Sequence, residues 1–361
     1  MYLKDLVDIQ MGQSPDSKFY NYDKIGLPFY QGKADFGRIN PTPKIWCSKS
    51  KKEAKPNDIL ISVRAPVGDL NINNEQSCIG RGLAAITCKP DVDMMYLYYH
   101  LKYLKPQLRH ISTGSTFESI NRSQLENLII DYKPYLEQIK ISNILQVVQR
   151  QIEVREKLLR LYDLLIKSRF VEMFGDPVIN NKKWPTMNLH EISIKITSGN
   201  TPQGGSRVYI NHGILFIRSQ NVWNNRLDLD DVVYISESLN EKMKETRLRR
   251  NDLLITKTGR FNTENSSLGR CALYTGPDFQ ANINGHVYLV RLKTEYNPNF
   301  ILSILTSEAY KNLIRTTCVG GIDKRQLNKS HIELFPIIIP PSELQNQYIK
   351  FLFQINKLKF A

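Results

Sequence analysis

The chain has 361 residues, a formal net charge of +14 and a sequence pI of about 9.4. Hydrophobic residues make up 41% of it and charged residues 23%, a composition that excludes a disordered chain and supplies apolar surface for two or three domains. The positive excess favours a polyanionic partner, and nucleic acid before a membrane surface.

Cysteine usage and hydropathy indicate the compartment. The five cysteines are odd in number and none falls in a C-x-x-C pair, which argues against a disulfide framework or a zinc knuckle. The first residues contain no apolar signal segment, and the longest apolar run, residues 335–341, is too short to span a bilayer. We therefore expect a soluble, cytoplasmic protein.

Residues 1–133 alternate short β-rich runs with one stretch at helical spacing. The runs at 58–63 and 83–87 are bounded by Gly, Asn and Pro, which is typical of strands between turns. Residues 94–108 carry apolar side chains at the spacing of a helix. An apolar run then leads to Pro134. The pattern predicts an α/β domain over residues 1–133.

A single long helix is predicted from Pro134 to Phe174, a segment with no glycine and no further proline. At about 1.5 Å per residue it is a rod about 60 Å long. Its apolar residues recur in steps of three and four, which is typical of a coiled-coil seam. The seam residues are Ile141, Leu145, Val148, Ile152, Leu159, Tyr162, Ile166 and Met173.

The length of this helix decides how residues 134–177 are interpreted. One alternative is a long helix buried inside a single large domain. A globular helix averages only about 11–12 residues, which counts against that alternative. We interpret the segment as a spacer between two domains.

Residues 178–340 repeat the first module. Residues 12–15 correspond to 199–202, and the motif at 57–60 returns at 251–254 after a larger offset, so insertions distinguish the two copies. The repeat predicts a second α/β domain. Its predicted elements are strands over 253–256 and 287–292 and a helix over 299–315.

A second, shorter helix is predicted over residues 341–361. We expect it to pair antiparallel with part of the long helix, because two rods bury a seam that one rod exposes. About half of the long seam would stay uncovered. This difference in length indicates either a partner helix or a shortened C-terminus.

Motifs of catalysis were not found in the sequence. It contains no G-x-x-x-x-G-K-[ST] loop, no G-x-G-x-x-G turn and no H-E-x-x-H pair. The Asn/Asp-Pro-Pro-aromatic loop that an amino-methyltransferase needs is also missing, since the one Pro-Pro pair, at 340–341, follows isoleucines. We predict no catalytic, cofactor-binding or metal-binding residue in this chain.

Polar, basic and aromatic residues cluster in the irregular segments of both modules. Arg, Gln and Asn pair with base edges in the major groove, whereas Lys and Ser contact phosphates. Taken singly, each residue is more simply explained as a solvated loop residue. The sets carry more weight, because their members fall in corresponding places of a repeated module. The candidate DNA contacts are Gln13, Ser14, Lys18, Tyr20, Gln31, Lys33, Arg38, Arg64 and Arg81 in the first module, and Gln203, Arg207, Arg218, Gln220, Asn221, Arg226, Lys257, Arg260 and Asn262 in the second.

With this duplicated arrangement the chain resembles the specificity subunits of type I restriction–modification systems. The resemblance is carried by the strand starts after Pro56 and Arg250, by Leu136-Glu137-Gln138 at the helix start and by Phe174-Gly175-Asp176-Pro177 at its end. It covers nearly the whole chain, in the order recognition domain, helix, recognition domain, helix. The second helix is shorter than the family pattern requires. This departure affects the surface on which the family docks its second modification subunit.

The resemblance implies an α+β fold: two α/β target-recognition domains joined by long helices that form an antiparallel coiled-coil spacer. It implies a non-catalytic chain in which each recognition domain reads one half of a split site in double-stranded DNA. The helices would dock two modification subunits, which supply S-adenosylmethionine and adenine methylation. A separate restriction subunit, the motor and nuclease, would use ATP and Mg²⁺, and this chain itself would bind no cofactor.

Two other classes of function remain open at this stage. One is a scaffold whose paired modules bind protein without DNA specificity, and the other is a stand-alone enzyme acting on DNA. The missing cofactor motifs argue against the enzyme. A steep loss of DNA affinity with salt distinguishes a DNA-binding protein from the scaffold.

Overall fold

The computed structural model describes residues 1–112, 118–261, 263 and 265–360. The chain forms two compact units, Met1–Glu156 and Lys157–Ala361. Within the described residues, no helix combines the length and the hydropathy that crossing a membrane requires. The division between the units falls inside the long helix, and the domain boundaries predicted above stay predictions.

The first unit mixes short strands and short helices. Its strands are β1 (Val7–Met11), β2 (Tyr20–Asn21), β3 (Leu27–Tyr30), β4 (Trp46–Cys47), β5 (Glu53–Ala54), β6 (Ile59–Ser62), β7 (Leu70–Ile72), β8 (Ser77–Ile79) and β9 (Leu83–Cys88). Its helices are α1 (Leu3–Leu6), α2 (Met94–Tyr103), α3 (Lys105–Ile111) and α4 (Arg122–Glu126). The long helix α5 (Tyr135–Phe174) follows.

The second unit has the same mixture. Its strands are β10 (Thr186–Asn188), β11 (Ser193–Ser198), β12 (Ile214–Ile217), β13 (Val222–Trp223), β14 (Arg226–Leu227), β15 (Val233–Ile235), β16 (Leu253–Thr256), β17 (Thr258–Arg260), β18 (Cys271–Leu273), β19 (Ala281–Ile283), β20 (Val287–Leu292), β21 (Val319–Gly320), β22 (Lys324–Gln326) and β23 (Pro336–Ile338). Its helices are α6 (Glu237–Lys242), α7 (Pro298–Leu305), α8 (Glu308–Thr317), α9 (Lys329–Glu333) and α10 (Ser342–Phe360).

A central sheet with two buried faces organises the first unit. It is antiparallel, in the order β1-β9-β6-β7, and a second sheet pairs β3 parallel to β8. Ile59 and Ile61 of β6 face a core that includes Leu97 of α2 and Leu108 of α3, whereas Leu60 faces a second core with Tyr30. Because side chains alternate along a strand, one short apolar run fills both cores.

The second unit repeats this architecture. Its central sheet has the order β11-β20-β16-β18, and β12 pairs parallel to β19 as β3 does to β8. Leu253 and Ile255 of β16 face the core that includes Phe300 of α7, and Leu254 faces a core with Ile217 of β12. The repeat predicted from sequence is therefore a repeat of topology and of burial.

The repeated Asn-Asp motif is the turn that starts the central strand. Asn57 and Asn251 both have a left-handed backbone, with φ of 69° and 73°, which Asn tolerates better than most residues. The carboxylates of Asp58 and Asp252 accept hydrogen bonds from backbone amides three residues earlier, each at 2.7 Å. Both carboxylates are buried. The motif is conserved between the copies because it fixes a turn.

The helix predicted inside each of the two modules is broken in two. The first, 94–108, breaks between α2 and α3, where Pro106 lies in the first turn of α3 and lacks the donor that a continuous helix needs. The second, 299–315, breaks at Ser307, whose hydroxyl accepts a hydrogen bond from the Tyr310 amide and caps α8. Pro106 and Ser307 therefore interrupt the helices, although the apolar periodicity continues across both positions.

Within the second unit, the end of α5 and α10 are antiparallel neighbours. Tyr348 of α10 makes edge contacts with Phe170 and Phe174, at ring-centroid distances of 5.4 and 5.7 Å. Nearer the other end of α10, Lys359 Nζ lies 2.5 Å from Asp163 Oδ1. Later residues of α10 contact earlier residues of α5, so the two helices are antiparallel here. A coiled-coil spacer over the whole length of α5 stays a prediction.

The buried ion pair at the second turn gives a stability prediction. Arg291 contacts the Asp252 carboxylate with two nitrogens, at 2.8 and 2.7 Å, and the Asp252 side chain is 1% exposed. Asp252→Ala leaves the guanidinium without its counterion, so we expect the free energy of unfolding to fall by about 3–5 kcal/mol. Chemical denaturation followed by circular dichroism measures this.

An exposed ion pair of the same unit provides the matched control. Glu241, whose side chain is 65% exposed, pairs with Arg247. Glu241→Ala should cost at most about 1 kcal/mol. Equal losses for the two variants would show that the Asp252 pair does not hold the turn.

Candidate nucleic-acid interface

Five of the predicted DNA contacts of the first module gather around one cleft of about 190 Å³. They are Ser14, Gln31, Lys33, Arg64 and Arg81. They follow the ends of β1, β3, β6 and β8, and the register explains why these ends meet. Met11 of β1 and Ser62 of β6 pair with neighbouring residues of β9, and Tyr30 of β3 pairs with Ile79 of β8.

The backbones at this edge are in close contact. A Cβ on Gly82 would lie 2.4 Å from the Gln31 carbonyl oxygen, so only glycine allows the β8–β9 loop to come this near the end of β3. The Ser14 hydroxyl accepts a hydrogen bond from the Arg81 amide at 3.3 Å. As a result, the loops that carry Ser14, Gln31 and Arg81 lie next to one another.

The cleft contains both exposed and ion-paired charges. Arg64 and Arg81 are exposed. Lys33 Nζ lies 3.0 Å from the Asp69 carboxylate, which Lys105 also contacts at 2.5 Å. Burial raises the pKa of Asp69, but the hydrogen bonds and positive charges of Lys105 and Lys33 outweigh burial, so this pKa lies below its ordinary value. Asp69 therefore stays ionised and offsets the lysines.

The other candidates of the first module do not line this cleft. Gln13 is exposed, and Lys18 lies over the ring of Phe19. The hydroxyl of Tyr20 donates a hydrogen bond to the Pro15 carbonyl. The pKa of Tyr20 is raised, mainly because its side chain is partly buried. Arg38 forms an ion pair with Glu153 of α5 at 3.0 Å. Lys18, Tyr20 and Arg38 thus contact other residues of this chain. Contact of these four residues with DNA stays a prediction.

In the second module, three candidates share one loop held by Asp231. Its carboxylate accepts hydrogen bonds from Arg218 at 3.1 Å and from Gln220 at 2.6 Å. The amide of Asn221 donates to the Asp228 and Asp231 carbonyls, and Asn221 is 2% exposed. The buried amide of Asn221 stabilises the loop, a role that the sequence did not indicate.

The remaining candidates of the second module lie on separate loops and strands. Gln203 and Arg207 are exposed on the loop after β11. Lys257 immediately precedes β17 and Arg260 is its last residue. The Arg226 guanidinium lies 5.6 Å from the centre of the Trp223 ring. Asn262 lies outside the described residues.

The two modules place opposite charges at one corresponding position. The amide of Ser62 donates to the carbonyl of Asp69, and the amide of Thr256 donates in the same way to the carbonyl of Arg270. Where Asp69 offsets two lysines, Arg270 places its guanidinium 3.7 Å from the centre of the Trp223 ring. The same backbone position therefore carries a side chain of opposite charge in each module. Neither residue was a candidate from sequence, because the correspondence appears only in the register.

The predicted seam of α5 divides between buried and exposed stretches. Ile166 and Met173 pack against the core of the second unit, and Ile141 and Tyr162 are half-buried. The other four seam residues are exposed by 37–49%: Leu145, Val148, Ile152 and Leu159.

A second apolar stripe on α5 was missed by the sequence analysis. It lies on another face of the helix and is also exposed. The spacing of three, four and seven residues could have revealed it. Its members are Ile144, Val147 and Val154 in the first unit and Leu161, Leu164, Leu165 and Val171 in the second.

The comparison with protein families decides the relationship of the chain. The family described as the type I restriction modification DNA specificity domain matches residues 1–160 and again 181–361. The chain belongs to this family. The two matches agree with the duplicated architecture, in which each copy contains one central sheet.

Named relatives come from Methanocaldococcus jannaschii. One, described as a type I restriction enzyme MjaX specificity subunit, is 45% identical over 150 residues, which cover 41% of this chain and 35% of the relative. The other, the type I restriction enzyme MjaIX specificity subunit, is 24% identical over 96% of this chain and 84% of its own length. The chain thus matches about a third of the first relative's length.

A solved structure shares the fold. The S subunit of a type I restriction–modification system from M. genitalium superposes with a TM-score of 0.60 and 16% identity, covering 99% of this chain and 89% of the other. This likeness shows the same mixed α/β fold with its helices.

The cleft of the first module gives a binding prediction. Arg81→Gln removes an exposed cation, so we expect weaker binding of double-stranded DNA. The slope of log affinity against log salt should fall by about 0.9 if the lost contact is a phosphate. The control is Arg122→Gln, because Arg122 pairs with Glu126 at 2.7 Å on α4. An equal loss in the control would exclude the cleft as the DNA surface.

Proposed function

We propose that this chain is the DNA-recognition subunit of a type I restriction–modification complex, each module reading one half of a bipartite site in double-stranded DNA. The recognition domains are residues 1–133 and 178–340. The observation that carries the proposal is the duplicated scaffold with different side chains at one edge, such as Asp69 and Arg270. Two recognition domains that share one architecture but differ in side-chain chemistry suit two different half-sites; we call these domains the two reading heads.

Affinity and sequence choice come from different groups in this proposal. The net charge of +14 supports binding through the release of counterions from phosphates, which is independent of sequence. Side chains of the cleft, such as Gln31 and Arg81, are of the types that hydrogen-bond base edges. The proposed complex acts in the cytoplasm.

The helices form the spacer in this proposal, over residues 134–177 and 341–361, as an antiparallel coiled coil. The contacts of Tyr348 with Phe170 and Phe174 support antiparallel pairing at one end of α5. A paired rod of fixed length would hold two reading heads at a fixed separation.

Partner subunits would supply the chemistry. The chain itself is proposed to be non-catalytic, with S-adenosylmethionine held by two modification subunits and ATP with Mg²⁺ by a restriction subunit. The exposed seam and the second stripe of α5 support a docking surface. Ile144 and Leu164, for example, are 63% and 58% exposed on this helix, and large exposed apolar surface is typical of an interaction site.

In-vitro selection from randomised DNA duplexes tests the proposed function. The full chain, alone and with its modification subunit, should select two short conserved blocks separated by unspecified bases of constant number. Affinity for the selected duplex should fall steeply with salt. A single contiguous block would contradict the two-head proposal, and salt-independent binding without selection would favour the protein scaffold.

Docking on α5 gives a separate prediction. Ile152→Glu combined with Leu159→Glu places two carboxylates on the exposed seam, so co-purification with the modification subunit should be lost while DNA affinity of the chain changes little. Gln151→Glu, also exposed on this helix, is the control. Unchanged co-purification of the double variant would exclude this seam as the docking surface.

A further inference from the structure

A small β-hairpin of the second unit projects an apolar tip. Strands β21 and β22 pair antiparallel, with Val319 opposite Gln326, and β22 pairs in turn with β17. Gly320 has φ of +134°, and a Cβ there would lie 2.7 Å from the Lys324 carbonyl oxygen, so the tight approach of the two strands needs glycine.

The tip of this hairpin is Ile322. Its side chain is 85% exposed, the largest exposure among the large apolar side chains of the described residues. A single exposed apolar residue is ordinary on a protein surface. The charges around this one make it distinctive.

The strands below the tip carry cations. Arg260 of β17 lies opposite Lys324 of β22, and both side chains are exposed. Arg325 lies opposite Gly259 and places its guanidinium 3.9 Å from the centre of the Phe261 ring. The hairpin is therefore a narrow ribbon with an apolar tip and basic edges.

A basic cleft adjoins the hairpin. Phe261, which carries Arg325, also lines a cleft of about 210 Å³ together with Trp223 and the cations Arg226, Arg270, Lys311 and Arg315. Arg270 is fixed there by hydrogen bonds to the Ser266 and Asn265 carbonyls, at 2.9 and 2.5 Å. Lys311 lies 3.4 Å from Glu308. Three exposed cations around one cleft, Arg226, Lys311 and Arg315, are suited to phosphate.

We infer that the hairpin of residues 319–326 enters the major groove of a DNA duplex, with Ile322 against thymine methyl groups and Arg260, Lys324 and the adjoining cleft on the flanking phosphates. The inference rests on the proposed function and adds a reading element that lies outside the loops singled out from sequence.

Size and chemistry favour this occupant. The major groove, about 12 Å wide, admits a two-stranded β-ribbon, and the thymine C5-methyl group is the apolar feature on its floor. A protein-binding site would present more apolar area around Ile322. Here the exposed side chains nearby are the cations Arg260 and Lys324, with one acidic residue, Asp323, next to Ile322 in the turn. Charge complementarity therefore favours a polyanion.

The first measurement compares Ile322→Ala with the control Ile179→Ala, whose side chain is 76% exposed elsewhere in the second unit. DNA selected by the full chain from randomised duplexes serves as the probe. Ile322→Ala should bind it at least about fourfold more weakly, the effect of one buried methyl group, with an unchanged salt slope. Ile179→Ala should bind it like the parent chain.

Replacing thymine by uracil in the probe identifies the contact. Removing the methyl group at the critical position should weaken binding by the parent chain and leave Ile322→Ala unaffected. Lys324→Gln should instead lower the salt slope by about 0.9.

The outcomes separate this inference from the proposed function. If the parent chain selects a bipartite site while Ile322→Ala and Lys324→Gln bind it as the parent does, the hairpin inference is wrong and the proposed function stands. Capture of the modification subunit that depends on Ile322 would also overturn the inference, in favour of a protein contact. If the parent chain selects no DNA, both fail.

Discussion

Burial of both faces of the central sheet is the constraint on which each module depends. Ile59 and Ile61 fill one core and Leu60 the other, and Leu253, Leu254 and Ile255 do the same in the second copy. With both faces covered, the strand ends and their loops are left to contact a ligand. The antiparallel register and the parallel pair β3–β8 bring several of these ends to one edge. In the first module, the scaffold thus brings several loops to one edge.

In the proposed function, that separation would let one backbone carry two specificities. The buried turn of Asn57-Asp58 and Asn251-Asp252 is kept because it starts the central strand. Positions at the edge are free to differ, and Asp69 and Arg270 differ in sign at one corresponding place. A specificity subunit needs this combination, since its heads must be held alike and read differently. The family model matches both copies, in agreement with the duplicated topology.

Local patterns in the sequence predicted the elements better than their assembly. The strand over 253–256, the long helix and the repeat were predicted, because apolar periodicity and spacing encode them. The broken helix at Ser307 and the buried amide of Asn221 were missed, since each depends on a local hydrogen bond that competes with the periodic pattern. The cleft of Ser14, Gln31 and Arg81 was not predicted as a unit, because strands distant in sequence must pair to form it.

The central claim is that two modules of one chain read two halves of one DNA site. Mapping of methylated adenines across the genome, in cells with and without this chain, tests it most directly. The account predicts that one bipartite motif, with two specified blocks and a spacer of constant length, is methylated only when the chain is present. Methylation that does not depend on the chain, or a motif with one contiguous block, would contradict it.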